Sequence, residues 1–263
     1  MLALHGSMVD RARLHWPPVQ DERLVAEFTQ QAASFNASAA MRSPAALGAF
    51  VEMLPTAPGQ RWLDVACGPG LVTRALAPRV GQVVGVDLTP AMVEMARQES
   101  VGVENARFEL ADASRLPFPD GTFDGAVTRF SMHHIPRPGR IVREMARVVR
   151  PGGWVAVSDH VTSDDHAQAA WHEEVERLRD PSHWACLTPA AFLALGDGLS
   201  LERHEVGELE LDFEEWLRRG SGSGENRHLI EELVRARPGG TDRWRIEGRV
   251  LRTTNHRALW RRL

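Results

Sequence analysis

The chain has 263 residues, 43% of them hydrophobic and 25% charged, a balance that suits one decorated globular domain. Its 31 basic residues, all arginine, stand against 35 acidic ones for a net charge of −4, which argues against general affinity for nucleic acid. No apolar run approaches the ~18 residues of a membrane span, and Cys67 and Cys186 form no CxxC pair, so neither a membrane protein nor a disulfide scaffold is expected and a reducing cytoplasm is the default.

Residues 1–20 are expected as a disordered or tag-derived N-terminus, with His5-Gly6-Ser7-Met8 ahead of a start at Met8 and no signal-peptide core. Residues 21–58 carry two amphipathic helices, 21–36 and 43–54, as a lid or cap. From 59 to 160, short apolar runs alternate with helical patterns, the rhythm of a parallel α/β sheet. Strands are predicted at 61–66, 82–87, 106–110, 123–129 and 154–159; their Val, Leu and Ala lack strict alternation, as in strands covered on both faces. Helices fall between them at 71–79, 90–99 and 139–149. Thr89 occupies an N-cap position before Pro90, and Pro151-Gly152-Gly153 is predicted to break the third helix. Residues 161–263 should add cap helices at 164–179, 189–195 and 226–237, with strands at 199–211 and about 253–262 completing the sheet. Gly220-Ser221-Gly222-Ser223-Gly224 is predicted to be a flexible hinge or loop tip.

The segment Asp64-Val65-Ala66-Cys67-Gly68-Pro69-Gly70 joins the first core strand to its helix. Glycines there let backbone approach a ligand, and Asp87, ending the next strand about twenty residues on, suits both hydroxyls of a ribose. A dinucleotide would place its pyrophosphate at the helix N-terminus and usually has a third glycine, where Thr73 stands. Asp64 would repel a pyrophosphate. S-adenosylmethionine (SAM) has no phosphate and carries a positive sulfonium and ammonium, so charge favours SAM.

Leu63-Asp64-Val65-Ala66-Cys67-Gly68-Pro69-Gly70 resembles motif I of class I SAM-dependent methyltransferases. Further matches follow in order: Gly85-Val86-Asp87-Leu88-Thr89-Pro90-Ala91-Met92, Ala111-Asp112-Ala113, Leu116-Pro117-Phe118-Pro119-Asp120-Gly121-Thr122-Phe123-Asp124, Ser131-Met132-His133-His134-Ile135, and Glu144-Met145-Ala146-Arg147-Val148-Val149-Arg150-Pro151-Gly152-Gly153. Together, over about residues 60–160, they resemble the branch holding ubiquinone/menaquinone-type and natural-product sugar O-methyltransferases. The resemblance implies a Rossmann-like α/β fold: a mostly parallel seven-stranded sheet with helices on both faces and a helical cap. It implies that Ala66, Cys67, Gly68 and Gly70 hold the methionine part of SAM with Asp64 nearby. By the same likeness Asp87 takes the ribose, Leu88 and Met92 flank adenine, Asp112 and the Ala113 N–H meet its edge, and Thr128 and Arg129 approach the amino-acid end. Phe28 and Phe35 belong either to a lid or to the core.

Methyl transfer needs alignment and exclusion of water, and a base only where the acceptor must lose a proton. The family's sheet order puts His133 and His134 close to Asp159 and His160, with His133 and Asp159 as the leading general-base pair; a capping or packing role for the two histidines stays open. Phe130-Ser131-Met132-His133-His134 stands where some quinone-pathway relatives carry a metal-binding Glu-x-x-Glu-His, so no metal is expected. Arg243, Arg245, Arg249, Arg252, Arg257, Arg261 and Arg262 read as a solvated face or as a grip on an anionic acceptor, and 179–184 and 213–218 offer Trp and charge for a cap. The expected function is a bacterial, cytoplasmic small-molecule methyltransferase, with O-methylation of a natural-product or sugar hydroxyl favoured over N- or C-methylation. A SAM-binding cyclase or isomerase is the alternative of a different class. The expected partner is a small acceptor, without nucleic acid or membrane; a homodimer is left open.

Overall fold

A computed structural model describes residues 18–38, 41, 42 and 44–263, without the side chains of 18–20, 33–37, 44 and 45. The expectations for residues 1–17 and for the Phe35 side chain lie outside the described residues. Two helices open the fold, α1 (Pro18–Ala37) and α2 (Pro44–Glu52). The alternating half follows: β1 (Arg61–Val65), α3 (Leu71–Leu76), β2 (Gln82–Asp87), α4 (Pro90–Glu99), β3 (Ala106–Leu110), β4 (Phe123–Arg129), α5 (Pro138–Val148) and β5 (Val149–His160). The rest comprises α6 (His166–Arg179), α7 (Pro189–Leu193), β6 (Ser200–Asp212), α8 (Phe213–Arg219), α9 (Ser223–Ala236), β7 (Trp244–Glu247) and β8 (Val250–Arg261). Among the described residues no helix is long and apolar enough to cross a membrane.

The strands lie in the order β3-β2-β1-β4-β5-β8-β6. β1 to β5 pair in parallel, and β8 runs antiparallel between β5 and β6. An eighth strand, β7, pairs with β8 beside this seven-strand path. Glu247 faces Val250 across the two-residue turn Gly248-Arg249, and Gly248 at φ +64 supplies the left-handed backbone such a turn needs. The sheet is covered on both faces, with Trp62, Leu63, Val83, Val86, Ala126 and Val157 among its fully buried residues. Gly125 on β4 admits the Trp62 ring, which would lie 2.5 Å from a Cβ there. A separate apolar core among α6, α8, α9, β7 and β8 gathers Val175, Trp216, Leu217, Ile230, Trp244 and Leu251.

Three local expectations change. α5 stops at Val148, and Pro151-Gly152-Gly153 lies within the span of β5 rather than ending the helix. Thr89 is the N-cap of α4 but makes no side-chain cap bond; its N–H instead donates to Asp87. The Gly-Ser run is packed, not free. A Cβ on Gly220 would run into the Arg179 carbonyl and one on Gly222 into that of Leu178, while Ser221 donates from N at 2.9 Å and from Oγ to Glu27 on α1. Glycine here serves close approach of backbones.

Strand register also accounts for most of the C-terminal arginines. Arg252 faces Glu210 and Arg257 faces Glu205 across β8 and β6, and Arg245 and Arg249 pair with Glu208 and Asp212. None of the seven lines either cavity described below. Arg245 and Arg252 pair with Glu208 and Glu210 on one face of the sheet, and Arg257 pairs with Glu205 on the other.

Candidate active site

The strand order reverses direction at β1, so the connections leaving β1 and β4 part and leave a crevice at the carboxyl edge of the sheet, where α/β folds bind ligands. A cavity of about 990 Å³ opens there. Its floor is the 66–69 loop; Asp64, Asp87, Asp112, Ala113, Leu88, Met92 and Arg129 surround it, and Phe28 of α1 closes one side. Of the cofactor residues expected from the sequence, Thr128 and Gly70 do not line it. The Thr128 hydroxyl is 2.6 Å from that of Ser131, inside the fold. Gly70, at φ +81, faces Phe108, whose ring would lie 2.9 Å from a Cβ. Its backbone serves the turn and the packing of α3.

Backbone conformation at the crevice is unusual. Among the described residues only Ala66 and Phe130 are non-glycine residues at positive φ, both at 54°, and they end neighbouring strands on the cavity wall. Such strain persists where surrounding structure over-determines it, typically at ligand sites. Gly68 is also left-handed, and a Cβ there would meet nothing within 4 Å, so the loop presents bare backbone to open space.

Three carboxyls are anchored by local bonds. Asp64 accepts from the Thr73 hydroxyl at 2.7 Å. Asp87 accepts from the Gly68 and Thr89 N–H groups, each at 2.9 Å. Asp112 accepts from the Ser114 N–H and hydroxyl. Burial pushes the Asp64 carboxyl up to about 7, against the Thr73 hydrogen bond, and also raises Asp87 against its two N–H donors. Opposite them, burial lowers the Arg129 guanidinium to about 10 despite Asp64 and Asp159. Arg129 donates to the Met41 carbonyl at 3.2 Å and stacks on Phe130 at 4.2 Å, yet its Nε and Nη2 are buried without a partner. Buried N–H groups of this kind call for an acceptor. Carboxyls facing one guanidinium across a cleft match a ligand with a cationic centre and a carboxylate of its own, as the methionine end of SAM has.

A second, inner cavity of about 540 Å³ adjoins the first and shares Phe28, Phe130 and His134 with it. His133, His160, Gln31, Arg179, Trp216 and Arg219 also line it. Asp159 ties this wall together. Its Oδ2 accepts from the Met132 N–H at 2.8 Å and the His133 N–H at 3.3 Å, and its Oδ1 meets His133 Nδ1 and the His160 N–H, each at 2.8 Å. Burial would raise Asp159, but the His133 and His160 imidazoles hold it well below the usual carboxylate range. Burial lowers His133 to about 3, against the pull of Asp159, so its imidazole is neutral near pH 7. With Nδ1 engaged by the carboxylate, Nε2 is the nitrogen left to take a proton. His134 is placed differently: its Nδ1 is 3.0 Å from the Ser182 hydroxyl, its ring meets Phe28 edge-on at 4.8 Å, and burial lowers its pKa.

The 182–187 segment is stitched to this wall. Trp184 and Ala185 N–H donate to the His133 carbonyl at 2.9 and 3.1 Å, and Ser182 Oγ donates to Asp180 at 2.6 Å. Of the inner-chamber residues, 179–180 and Trp216 fall in stretches the sequence marks by their Trp and charge, whereas Gln31, Glu176, Arg219 and Thr253 carry no sequence signal.

A family profile described as a methyltransferase domain matches residues 63–157. The chain is 33% identical over 178 residues to the uncharacterized methyltransferase YcgJ of Bacillus subtilis, covering 66% of this chain and 70% of that protein. The crystal structure of YcgJ superposes with a TM-score of 0.75 at 26% identity, over 82% of this chain and 97% of that one. The 27-O-demethylrifamycin SV methyltransferase of Amycolatopsis mediterranei is 35% identical, over 49% of this chain and 48% of that protein. A phosphatidylethanolamine N-methyltransferase of Cereibacter sphaeroides is 37% identical, over 48% of this chain and 63% of that protein. Shared sequence over most of YcgJ, and a shared fold over nearly all of it, place this chain among the class I SAM-dependent methyltransferases.

Proposed function

We propose that the chain O-methylates a hydroxyl of a small molecule held in the inner chamber, with His133 as general base and Asp159 as its orienting carboxylate. The observation that carries this is the buried 2.8 Å contact between His133 Nδ1 and Asp159 on a wall of the chamber adjoining the cofactor cleft. Asp87 would hold the ribose hydroxyls, Leu88 and Met92 the faces of adenine, and Asp112 with the Ala113 N–H its edge. Ala66, Cys67 and Gly68 would line the methionine part, with Arg129 on its carboxylate and Asp64 near its ammonium. Bound there, SAM supplies a methyl group on a cationic sulfur that leaves as a neutral thioether. His133 takes the hydroxyl proton at Nε2 as the oxygen–carbon bond forms, and Asp159 stabilises the resulting imidazolium. Phe28 and Phe130 stand on both cavities and would screen the reacting atoms from water.

The rifamycin-type relative supports a natural-product hydroxyl as the acceptor, and the N-methyltransferase relative supplies the contrast. An amine acceptor that arrives unprotonated needs no base. The experiment is S-adenosylhomocysteine release across a panel of hydroxyl and amine acceptors, repeated with His133→Ala and Asp159→Asn. Both variants should lose ~10²-fold or more in kcat on the hydroxyl acceptor, with SAM affinity within about twofold by calorimetry. Near-wild-type turnover by His133→Ala on that acceptor overturns the base assignment.

A further inference from the structure

Where His160 and Glu176 line the inner chamber, β5, α6 and the 182–187 segment bring together donor atoms that take no proton in the proposed methyl transfer. His160, His172 and Cys186 each offer a ligand atom within 4.8 Å of the others. His172 is fully buried, Glu176 is 2% exposed and Cys186 7%. His172 and Glu176 stand four residues apart on α6, hence on one helix face, with His172 Nε2 3.6 Å from Glu176 Oε1.

The hydrogen bonds around these residues leave particular atoms over. His160 Nδ1 faces Asp159 Oδ1 at 3.3 Å, and His172 Nδ1 faces the Thr162 hydroxyl at 3.2 Å. The Nε2 atom of each ring is buried and makes no hydrogen bond. An imidazole held through one nitrogen by an oxygen acceptor, with its second nitrogen bare, is how metal-ligating histidines are oriented. Glu176 Oε2 is taken by Arg179 at 3.1 Å, which leaves Oε1 toward His172. Cys186 is a free thiol, and backbone on either side of it is fixed. Its own N–H donates to Glu173 at 2.8 Å, Ala185 N–H donates to the His133 carbonyl, and the Leu187 carbonyl accepts from Thr162. Glu173 spends its other oxygen on His183 at 2.9 Å, so it braces the site without joining it.

We propose that His160, His172 and Cys186 bind one zinc ion, with the Glu176 carboxylate, 3.6 Å from His172 Nε2, turning in as the fourth ligand. Two imidazoles, a thiolate and a carboxylate form a donor set that suits zinc and not magnesium or calcium. Ideal tetrahedral bonds would put the ligand atoms about 3.3–3.6 Å apart, so the side chains close by roughly 1 Å when the ion enters. The Cys186 proton leaves as zinc binds. The lack of a Glu-x-x-Glu-His run at 130–134 bears only on a carboxylate metal site over the acceptor, not on this one. With four protein ligands the ion is structural: it pins α6 and the 182–187 segment to the end of β5, fixing one wall of the chamber that holds His133.

Two measurements on the purified full chain test this. After dialysis, elemental analysis should find one zinc per chain. After metal is stripped, added Co²⁺ should give a near-ultraviolet thiolate-to-cobalt charge-transfer band in the wild type and in Cys67→Ser, and none in Cys186→Ser. Thr162→Val, which removes only the acceptor behind His172, should weaken zinc binding by about 10–100-fold with an unchanged circular dichroism spectrum. It serves as the second arm should Cys186→Ser fail to fold. No charge-transfer band in the wild type, a band that survives Cys186→Ser, or unchanged affinity in Thr162→Val overturns the proposal. None of these readouts depends on the acceptor or on turnover.

Discussion

In the proposed SAM cleft, Asp64 should make binding proton-linked near neutral pH. Its carboxyl is fully buried, and burial raises it to about 7, so in the free protein about half of the molecules carry it protonated at pH 7, about nine-tenths at pH 6 and about one-tenth at pH 8. A cationic ligand beside it favours the carboxylate. Binding should therefore expel about 0.5 proton from Asp64 at pH 7 and about 0.9 at pH 6, and SAM affinity should fall about tenfold between pH 8 and pH 6. The sign is fixed by the direction of the shift: the raised pKa leaves the free site protonated where an unperturbed aspartate would be ionised. The assay is titration calorimetry in pairs of buffers with different ionisation enthalpies, on the wild type and on Asp64→Asn. Asn keeps an oxygen to accept from Thr73 but cannot ionise, so its affinity should lack this pH term. The amino group of SAM titrates equally in both experiments and cancels in the difference. Identical proton counts and identical pH slopes in the two proteins would refute the assignment.

Three further outcomes are expected. Because burial lowers His133 to about 3, the proposed base should be neutral across the physiological range, and kcat on a hydroxyl acceptor should show no acidic limb from it between about pH 5 and 8; a loss of rate titrating near 6.5 and absent from His133→Ala would contradict that. Replacing Arg129 with Met removes its two unpartnered N–H donors and should cost about 1.5–3 kcal/mol of SAM binding, roughly 10–100-fold in Kd, measured calorimetrically. Gly222→Ala should lower stability by about 1–3 kcal/mol, read by thermal melting, with faster amide hydrogen exchange in α9; an unchanged melting point would mean that the turn is as loose as its composition suggests.

The Rossmann half was legible because its signals are local. Asp64 and Asp87 stand at the ends of β1 and β2 and Asp112 just beyond β3, each inside its own motif, and parallel topology alone brings those edges together. The inner chamber was less so. Gln31, Arg179, Trp216, Arg219 and Thr253 come from four elements spread over more than two hundred residues, and no spacing records that they meet. Composition misled at Gly220-Ser221-Gly222, where small residues permit tight packing rather than motion. The C-terminal arginines left two readings open until the pairing of β6 with β8 set Glu205 and Glu210 opposite them, since register between distant strands leaves no mark on either strand alone. The proposed zinc donors His160, His172 and Cys186 show no metal spacing for the same reason: they lie on β5, on α6 and in the segment after it.

The place of β8 between β5 and β6 has a consequence for biosynthesis. β5 and β6 pair with each other only through β8, which emerges about fifty residues after β6, an interval of roughly 2–10 s at ordinary translation rates. Throughout that interval both strands present bare edges, the templates on which chains aggregate. Glu208 and Glu210, two residues apart on one face of β6, would then repel a second β6 until Arg245 of β7 and Arg252 of β8 arrive to neutralise them. The ion pairs on this face would thus guard a growing polypeptide before they decorate a finished one.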